Sequence, residues 1–394
     1  GFHDQLVMEG FDVNRFHAKM LLSRGIKTLA EAKRFLEPKL DTMYDPFLLK
    51  GMDRATQCIR NHIDKGNDIT IYGDYDVDGV TSTTILYKML KRCKAKVNYY
   101  IPDRIEEGYG INTKALKKLH ESGSRLVISV DTGITAVDQV AYANELGLDM
   151  IITDHHECQE VIPQAVAVIN PKQKDCHYPF DMLAGVGVTY KLIQGLEQIY
   201  DVDHEFVLDL LEIVAVGTVS DLVPLVDENR TFVYQAFKRM KQIKNIGLEA
   251  LVKVSGIDTA KITAGSIGFQ IGPRLNAAGR LGDAKRGVKL FLSEDRDEAI
   301  QMAEALNQEN QKRREMEEEI LSEADAIVSE SIDVRNTKIL VVAHEGWHHG
   351  VIGIVASRIC EKYYRPTILL AIEDGVASGS ARSVDGFSIF DALS

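Results

Sequence analysis

The chain has 394 residues, with 46 basic and 58 acidic side chains and a formal net charge of −12. Its 45% hydrophobic and 26% charged residues exclude a disordered or collagen-like chain and predict a globular protein of two or three domains. No apolar run reaches the roughly 18–20 residues of a membrane-spanning helix, so we expect no membrane association. The five cysteines form no C-x-x-C pair, which argues against a disulfide framework and is typical of a reducing cytoplasm.

Short helices are predicted over residues 1–50, and an alternation of strands and helices follows. The apolar runs predicted to be strands begin at Asp68, Lys96, Arg125, Asp149 and Ala165. Strands that alternate with helices at this spacing predict a parallel sheet covered on both faces. We place this first domain at residues 51–293. From about Val202 its pattern is mainly helical, with a glycine-rich loop that begins at Gly268.

A long charged helix and a smaller α/β domain are predicted to follow. The stretch 294–331 is typical of a solvated amphipathic helix, which at this length would span about 50 Å and could join two lobes. Strands return at Lys338 and Thr367, with the helical pattern VIGIVASRICEKYY between them. We therefore expect an α/β fold in which a parallel-sheet domain is joined by this helix to a smaller α/β domain at 332–394.

Acidic and imidazole side chains follow the apolar runs at the points where strands are predicted to end. ITIYG is followed by DYDVDG, LVISV by DTG and MIIT by DHHE, and EIVAVGTVS ends in the same way at Asp221. The carboxyl ends of parallel strands meet at one edge of a sheet, where ligands bind. The side chains expected to converge there are Asp74, Asp76, Asp78, Asp131, Asp154, His155, His156 and Asp221.

This set of side chains indicates a metal site. Several carboxylates share a small site only if cations neutralise them, and Asp with His is a hard ligand set that suits Mn²⁺ or Mg²⁺. A single Asp after a strand is more often a helix N-cap, and Asp131, before Thr-Gly, also fits a turn. Four such strand ends in one chain favour the metal site.

Two segments of small residues with arginines are candidates for anion binding, one in the glycine-rich stretch of the first domain and one in SGSARS of the second. Small hydroxyls, amides and guanidinium groups form a cradle for phosphate, although a simple turn is the alternative. Together with an arginine in IPDRIEEGYG, the candidates are Arg104, Arg274, Asn276, Arg280, Ser380 and Arg382. Gly185-Val186-Gly187 lacks the third glycine of a dinucleotide fingerprint and is expected to serve helix–sheet packing.

Four motifs in this order, DYDVDGVTS, VDTG, DHHE and VSDLVPL, resemble the phosphoesterase motifs of the DHH superfamily. IPDRIEEGYG, IGPRLNAAGRLGDA, GWHHGVIGIVASR and GSARS are more specific and are similar to the RecJ family of bacterial single-strand-specific 5′→3′ DNA exonucleases. The resemblance covers the chain from about Gly51 to Ser394. It implies a DHH domain joined by the connecting helix to a DHHA1 domain, with the active-site cleft between them and DNA passing through it.

The resemblance also implies roles for the candidate residues. Two divalent ions, Mn²⁺ in preference to Mg²⁺, would be bound and bridged by Asp131, and their ligands would be Asp76, Asp78, Asp131, His155 and Asp221. The residues acting beside the ions would be the supporting acids Asp74 and Asp154 and the phosphate-contacting His156. The terminal 5′-phosphate would be held by Arg280, Ser380 and Arg382, together with Arg104. Arg274 and Asn276 would belong to the same DNA-binding surface.

The implied activity is hydrolysis of single-stranded DNA from the 5′ end, with release of 5′-mononucleotides, in DNA repair and recombination. Single-stranded DNA is the expected partner, a single-strand-binding protein and a helicase are further candidates, and a monomer is the expected state. The family continues past GSARS into a Gly-Gly-His motif, an OB-fold and a further domain. The chain is therefore expected to be a truncated catalytic core with an incomplete second domain.

Two alternatives stay open. Another DHH phosphoesterase would act on oligoribonucleotides, phosphorylated nucleotides or pyrophosphate, and would need neither the long helix nor the glycine- and arginine-rich segment of the first domain. A non-catalytic replication scaffold of the same fold should have lost metal ligands, whereas every acid and histidine of the motifs is present in this chain.

Overall fold

The computed structural model describes residues 1–103 and 107–393. Two compact units make up the chain, and their residues are Gly1–Asn276 with Ala284–Ala303, and Ala277–Asp283 with Glu304–Ser394. Within the described ranges, no helix is both long enough and apolar enough to cross a membrane.

The N-terminal segment forms short helices, as predicted. They are α1 (Phe2–Met8), α2 (Arg15–Ser23) and α3 (Leu29–Leu36), followed by 3₁₀ turns at Leu40–Thr42 and Pro46–Leu48. Asn14 caps α2 and Thr28 caps α3, because each side-chain oxygen accepts a backbone amide of the first turn. The segment has a small core of its own, formed by Leu6, Ala18, Leu21 and Ala32.

Parallel strands form the sheet of the first unit, which confirms the predicted architecture. They are β1 (Asp68–Gly73), β2 (Lys96–Tyr100), β3 (Ser124–Val130), β4 (Asp149–Thr153) and β5 (Ala167–Ile169), in the order β2-β1-β3-β4-β5. The helices around them are α4 (Met52–Asp64), α5 (Val77–Arg92), α6 (Thr113–Glu121) and α7 (Val137–Glu145). β3 is buried from Leu126 to Val130, as expected for a strand covered on both faces.

The chain between the sheet and the long helix is mainly helical. Its helices are α8 (Gly185–Glu197), α9 (His204–Asp209), α10 (Leu211–Ser220), α11 (Asp227–Arg239), α12 (Ile246–Val254), α13 (Ala264–Ser266), α14 (Gly272–Leu281) and α15 (Lys285–Leu292). Shorter turns are the 3₁₀ turns at Met240–Gln242 and Thr259–Lys261 and a π-turn at Ile267–Ile271.

Two predictions for this region are wrong. EIVAVGTVS forms the helix α10, so Asp221 follows a helix and not a strand. The side chains of α10 are buried from Leu211 to Val219. A segment that is buried on all sides is apolar throughout, so its sequence lacks the hydrophobic periodicity that would distinguish a helix from a strand. The glycine-rich segment forms the π-turn and α14 in place of a loop. It packs closely, since a Cβ on Gly272 would lie 2.7 Å from Ser220 Oγ.

The long helix and the smaller sheet are also as predicted. Helix α16 (Arg296–Ser331) has 36 residues. The elements that follow are β6 (Leu340–Glu345), α17 (His349–Tyr363), β7 (Thr367–Glu373), β8 (Val376–Arg382) and α18 (Ile389–Leu393). β7 is the central strand, parallel to β6 and antiparallel to β8. Ala324 and Val328 of α16 join Val351 and Leu369 in the core of this unit.

A buried ion pair positions α8, the helix that borders the site described below. Lys191 Nζ lies 3.1 Å from a carboxylate oxygen of Glu228 on α11 and donates a hydrogen bond of 2.6 Å to the Tyr44 carbonyl. The Tyr178 hydroxyl donates to the same carboxylate. Burial lowers the pKa of Lys191, and the charge of Glu228 opposes that change. Since both side chains are fully buried, each is stable only with its partner.

We expect Lys191→Met to lower the free energy of unfolding by about 3–5 kcal/mol, because it leaves the Glu228 carboxylate buried without its cation. Urea unfolding followed by circular dichroism measures this loss. Lys50→Met is the control, since Lys50 pairs with Asp175 at an exposed position and its loss should leave the midpoint unchanged. Equal midpoints for the Lys191 variant and the wild type would contradict this account.

Candidate functional site

Three acidic residues follow β1 and lead into α5. Asp76 is the N-cap of α5, and its Oδ1 accepts the Gly79 amide at 3.0 Å. Asp78, in the first turn, is 2% exposed, and its two carboxylate oxygens accept the backbone amides of Gly185 and Val186, both at 2.7 Å. Asp74 is also buried and lies against this turn, because a Cβ on Gly79 would lie 2.4 Å from the Asp74 carbonyl oxygen. Gly79 therefore permits the close approach of the two segments.

The ends of β3, β4 and α10 bring further side chains to the same place. Asp131 follows β3 with a positive φ of 60°, and only 2% of it is exposed. His155 follows β4, and its Nε2 atom lies 3.1 Å from Asp131 Oδ1, 3.7 Å from Asp78 Oδ2 and 3.7 Å from Asp221 Oδ2. The imidazole nitrogen thus faces three carboxylates, and the four side chains lie in α5 or directly after β3, β4 and α10 of the first unit.

Asp154 and His156 form a pair beside this cluster. Asp154 Oδ1 accepts the backbone amides of His155 and His156 and lies 2.6 Å from His156 Nδ1, while its Oδ2 accepts the Ile134 amide at 2.9 Å. The hydrogen bond that His156 donates to Asp154 raises the pKa of His156. Burial alone would raise the pKa of Asp154, but the bonds from His156 outweigh burial and lower it. Asp154 therefore orients the His156 ring and favours its charged form.

The carboxylates of the cluster are held in an environment that opposes their ionisation. Burial, followed by the charge of Asp76, raises the pKa of Asp78 to about 7. Burial and the charge of Asp78 raise the pKa of Asp221 to about 7, and the same two causes raise the pKa of Asp131 well above its ordinary value. A cation among them would therefore favour the ionised form of all three groups.

The donor atoms fit a divalent cation. Among the described residues, Asp131 Oδ1 and His155 Nε2 are buried and have no hydrogen-bond partner of acceptable geometry, although they lie 3.1 Å apart. Groups of ligand atoms within 4.8 Å of one another are Asp131–His155–His156, Asp78–His155–Asp221 and Asp74–Asp76–Asp131. Asp131 and His155 each belong to two groups. Oxygen with imidazole nitrogen and no sulfur is the donor set of a hard or borderline ion.

The candidates in the glycine-rich segment lie on or next to α14. Asn276 is close to the acidic turn, since its Oδ1 accepts the Val77 amide at 3.3 Å. Arg274 Nη1 donates to the Gln270 carbonyl at 2.7 Å within its own segment. Arg104, the candidate in IPDRIEEGYG, lies outside the described residues.

The second unit brings Arg280, Ser380 and Arg382 to one region at the start of α17. Arg280 Nη1 donates to the Gly350 carbonyl at 2.9 Å, in the first turn of that helix. A Cβ on Gly353, one turn later, would lie 3.0 Å from Ser380 Oγ and 3.1 Å from Arg382 Nη2. Two guanidinium groups and a hydroxyl thus surround the amino end of a helix of 15 residues, which itself favours anions.

Comparisons with known proteins identify the family. The model of the DHH family N-terminal domain matches residues 68–218, and that of the DHHA1 domain matches residues 336–394. The single-stranded-DNA-specific exonuclease RecJ of Escherichia coli is 36% identical over 389 residues, which cover 95% of this chain and 67% of the relative. The chain belongs to the RecJ family.

Other members of the RecJ family agree with this assignment. RecJ of Bacillus subtilis is 45% identical over 379 residues, which cover 96% of this chain and 47% of that protein. A crystal structure of exonuclease RecJ bound to manganese has a TM-score of 0.80 and 32% identity, and the match covers 90% of this chain and 86% of that one. This RecJ-family chain therefore spans about half the length of the Bacillus relative and two thirds of the Escherichia one.

The structure adds two site residues that the sequence analysis missed. Gly185 is expected only to pack a helix, yet its amide holds Asp78 and a Cβ at its position would lie 2.5 Å from Asp131 Oδ1. Tyr109 is 56% exposed, and its ring centroid lies 6.2 Å from that of His156. The sequence offered one indication of Tyr109, because this residue lies within the motif IPDRIEEGYG. Gly185 had no local signal, because Asp78 and Asp131 are distant from it in sequence.

We expect Gly185→Ala to disrupt the acidic site more than the fold. The new methyl group must displace the Asp131 carboxylate, and a shift of about 1 Å at a reacting centre reduces a rate by roughly 10²-fold. Hydrolysis of single-stranded DNA and the rise in melting temperature on adding Mn²⁺ both measure the effect. Gly265→Ala is the control, since its Cβ would meet only ordinary contact at 3.5 Å. A wild-type response to Mn²⁺ in the Gly185 variant would refute this role.

Proposed function

We propose that this chain is the catalytic core of a metal-dependent exonuclease that hydrolyses single-stranded DNA from the 5′ end and releases 5′-mononucleotides. The observation that carries the proposal is the buried cluster in which His155 Nε2 faces the carboxylates of Asp78, Asp131 and Asp221. Membership of the RecJ family supports the same activity and substrate. DNA repair and recombination are the processes we propose for it.

Two divalent ions, Mn²⁺ or Mg²⁺, would be held by the cluster. The proposed ligands are Asp76, Asp78, Asp131, His155 and Asp221, with Asp131 shared between the ions. Two observations support this assignment. The groups of possible ligand atoms share residues, and burial together with neighbouring carboxylates raises the pKa values of the acids. Two bound divalent ions would lower the pKa of a water molecule and hold the phosphodiester in place.

The remaining acids and His156 would orient groups around the scissile phosphate. Asp154 holds His156 Nδ1, so the protonated ring would present its Nε2–H to a phosphate oxygen and stabilise the charge that develops there. Asp74 would support the ligand turn, because it is buried against Gly79. Tyr109, exposed beside His156, would offer its ring to a base, and such stacking tolerates every sequence.

The terminal 5′-phosphate would be bound at the start of α17. Arg280, Ser380 and Arg382 supply the guanidinium and hydroxyl groups, and the amino end of the helix adds its dipole. A terminal phosphate carries more charge than an internal one, so such a site would favour a 5′-phosphate over a 5′-hydroxyl. Arg104, Arg274 and Asn276 are proposed as further DNA contacts.

The wider organisation of the protein follows from the same proposal. The domains would be an N-terminal helical segment at 1–50, a DHH domain at 51–293, a connecting helix at 294–331 and a DHHA1 domain at 332–394. Single-stranded DNA is the proposed substrate, and a single-strand-binding protein and a helicase are proposed partners. We place the protein in the cytoplasm as a monomer.

With Mn²⁺, the chain should shorten 3′-labelled, 5′-phosphorylated single-stranded DNA progressively, release 5′-mononucleotides and leave duplex DNA intact. A 5′-hydroxyl oligonucleotide should be degraded more slowly, and pyrophosphate should not be hydrolysed. Asp131→Ala should abolish activity, because the shared ligand of both ions is lost. The control is Asp175→Ala, which removes an exposed carboxylate paired with Lys50. Attack from the 3′ end, or full activity of the Asp131 variant, would refute the proposal.

We expect His156→Ala to keep the metal ions and lose rate. Removing one donor to the developing charge typically slows the chemical step about 10²–10³-fold. Calorimetric titration with Mn²⁺ should match the wild type, while single-turnover hydrolysis is slowed. His204→Ala, at an exposed position, should be unchanged in both measurements. Loss of a Mn²⁺ equivalent in the His156 variant would mean that His156 is a metal ligand.

A further inference from the structure

A basic cavity lies at the end of α5 that is opposite to the acidic cluster. Its volume is about 620 Å³, within the range of small-molecule sites. α5, α9, α10, the residues just before α12 and the end of α15 contribute to its walls. Asp78 and Lys88 are separated by ten residues of α5, a rise of about 15 Å, so this cavity is separate from the candidate active site.

The charge of the cavity is opposite to that of the chain. Its lining carries four cations and two carboxylates, which are Lys88, Lys91, Arg92, Lys244, Asp209 and Glu294. One of the carboxylates is already used, because Asp209 accepts from Arg239 at 2.8 Å and lies 3.3 Å from Lys244. In a chain with a net charge of −12, such a concentration of cations around one cavity favours an anionic ligand.

Lys88 is the cation that the fold leaves unexplained. It is partly buried and, within residues 1–103 and 107–393, its ammonium group makes no hydrogen bond or ion pair. Burial lowers its pKa, and the charge of Glu294 opposes that change without an ion pair between the two. Because Lys88 lines the cavity, its ammonium group is available to an anion that enters there.

Helix electrostatics account for only part of this arrangement. Lys91 and Arg92 lie in the last turn of α5, where cations stabilise the helix dipole, but Lys244 lies outside that helix. The Arg92 guanidinium carbon lies 4.6 Å from the ring centroid of Phe206, and Lys91 Nζ lies 5.8 Å from that of Tyr87. These two cations are thus held by aromatic rings and not by carboxylates, which leaves their N–H groups available to a ligand.

We propose that this cavity binds a nucleoside monophosphate, with its phosphate among Lys88, Arg92 and Lys244. Ammonium and guanidinium groups match the phosphate, and the aromatic side chains Tyr87 and Phe206 provide flat apolar surfaces for the base. The inference does not depend on the hydrolysis proposed above. Nucleoside 5′-monophosphates are also the products of that reaction. The cavity would therefore bind a reaction product at the other end of the helix that carries Asp78.

Calorimetry with deoxyadenosine 5′-phosphate in EDTA tests the proposal, because EDTA removes metal-dependent binding at the acidic cluster. In the Arg382→Ala background, which removes a guanidinium group of the terminal-phosphate site proposed at α17, one molecule should bind per chain, inorganic phosphate should bind more weakly, and deoxyadenosine should not bind. Lys88→Met should weaken binding about tenfold or more, the effect of losing one charge-assisted hydrogen bond. Glu294→Gln should strengthen binding, since it removes a carboxylate from the lining.

Matched variants decide the location of binding. Lys253→Met alters an exposed lysine of α12 outside the cavity and should leave binding intact. Lys88→Met should keep its melting temperature, because an apolar chain replaces an unpaired cation; should it fail to fold, Lys244→Gln and Arg92→Gln, at exposed positions, provide the same test. Unchanged affinity in the Lys88, Lys244 and Arg92 variants, loss of binding in Lys253→Met, equal binding of inorganic phosphate, or binding of oligonucleotides alone would overturn the proposal.

Discussion

Repulsion among buried carboxylates is the constraint on which the first unit depends. Asp78 and Asp131 are almost completely buried; burial raises the pKa of both, and the charge of Asp78 raises that of Asp131 further. The fold offsets part of this repulsion by aiming two backbone amides at Asp78 and an imidazole nitrogen at Asp131. Protonation or a bound cation would relieve the remainder, so the geometry of the site is built at the expense of the stability of the metal-free protein.

Helix α8 connects the acidic cluster with the rest of the first unit. Its first amides hold Asp78, its first residue lies against Asp131, and two turns later Lys191 enters a buried pair with Glu228. Lys191 also donates to the Tyr44 carbonyl, so the N-terminal segment helps to fix the same helix. Stability and site geometry therefore share one element, and a change far from the carboxylates can displace them.

The two units supply complementary chemistry. The first concentrates acidic ligands at the ends of β1, β3, β4 and α10, whereas the second places Arg280, Ser380 and Arg382 around the start of α17. Hydrolysis of a phosphodiester requires both cation binding at the reacting group and recognition of the substrate's negative charge. The second unit thus gathers two guanidinium groups at one place in a chain whose net charge is −12.

The sequence by itself determined the parallel sheet, the long helix and the smaller α/β unit, because hydrophobic periodicity and length are local properties. It also identified Asp78, Asp131 and His155, since acids at the ends of successive apolar runs meet at one sheet edge. Only the tertiary structure showed that Asp221 arrives from a helix and that Gly185 must lack a side chain. Both facts depend on contacts between residues that are distant in the chain. The residues next to α10 or Gly185 in sequence do not reveal those contacts, because the contacting residues lie elsewhere in the chain.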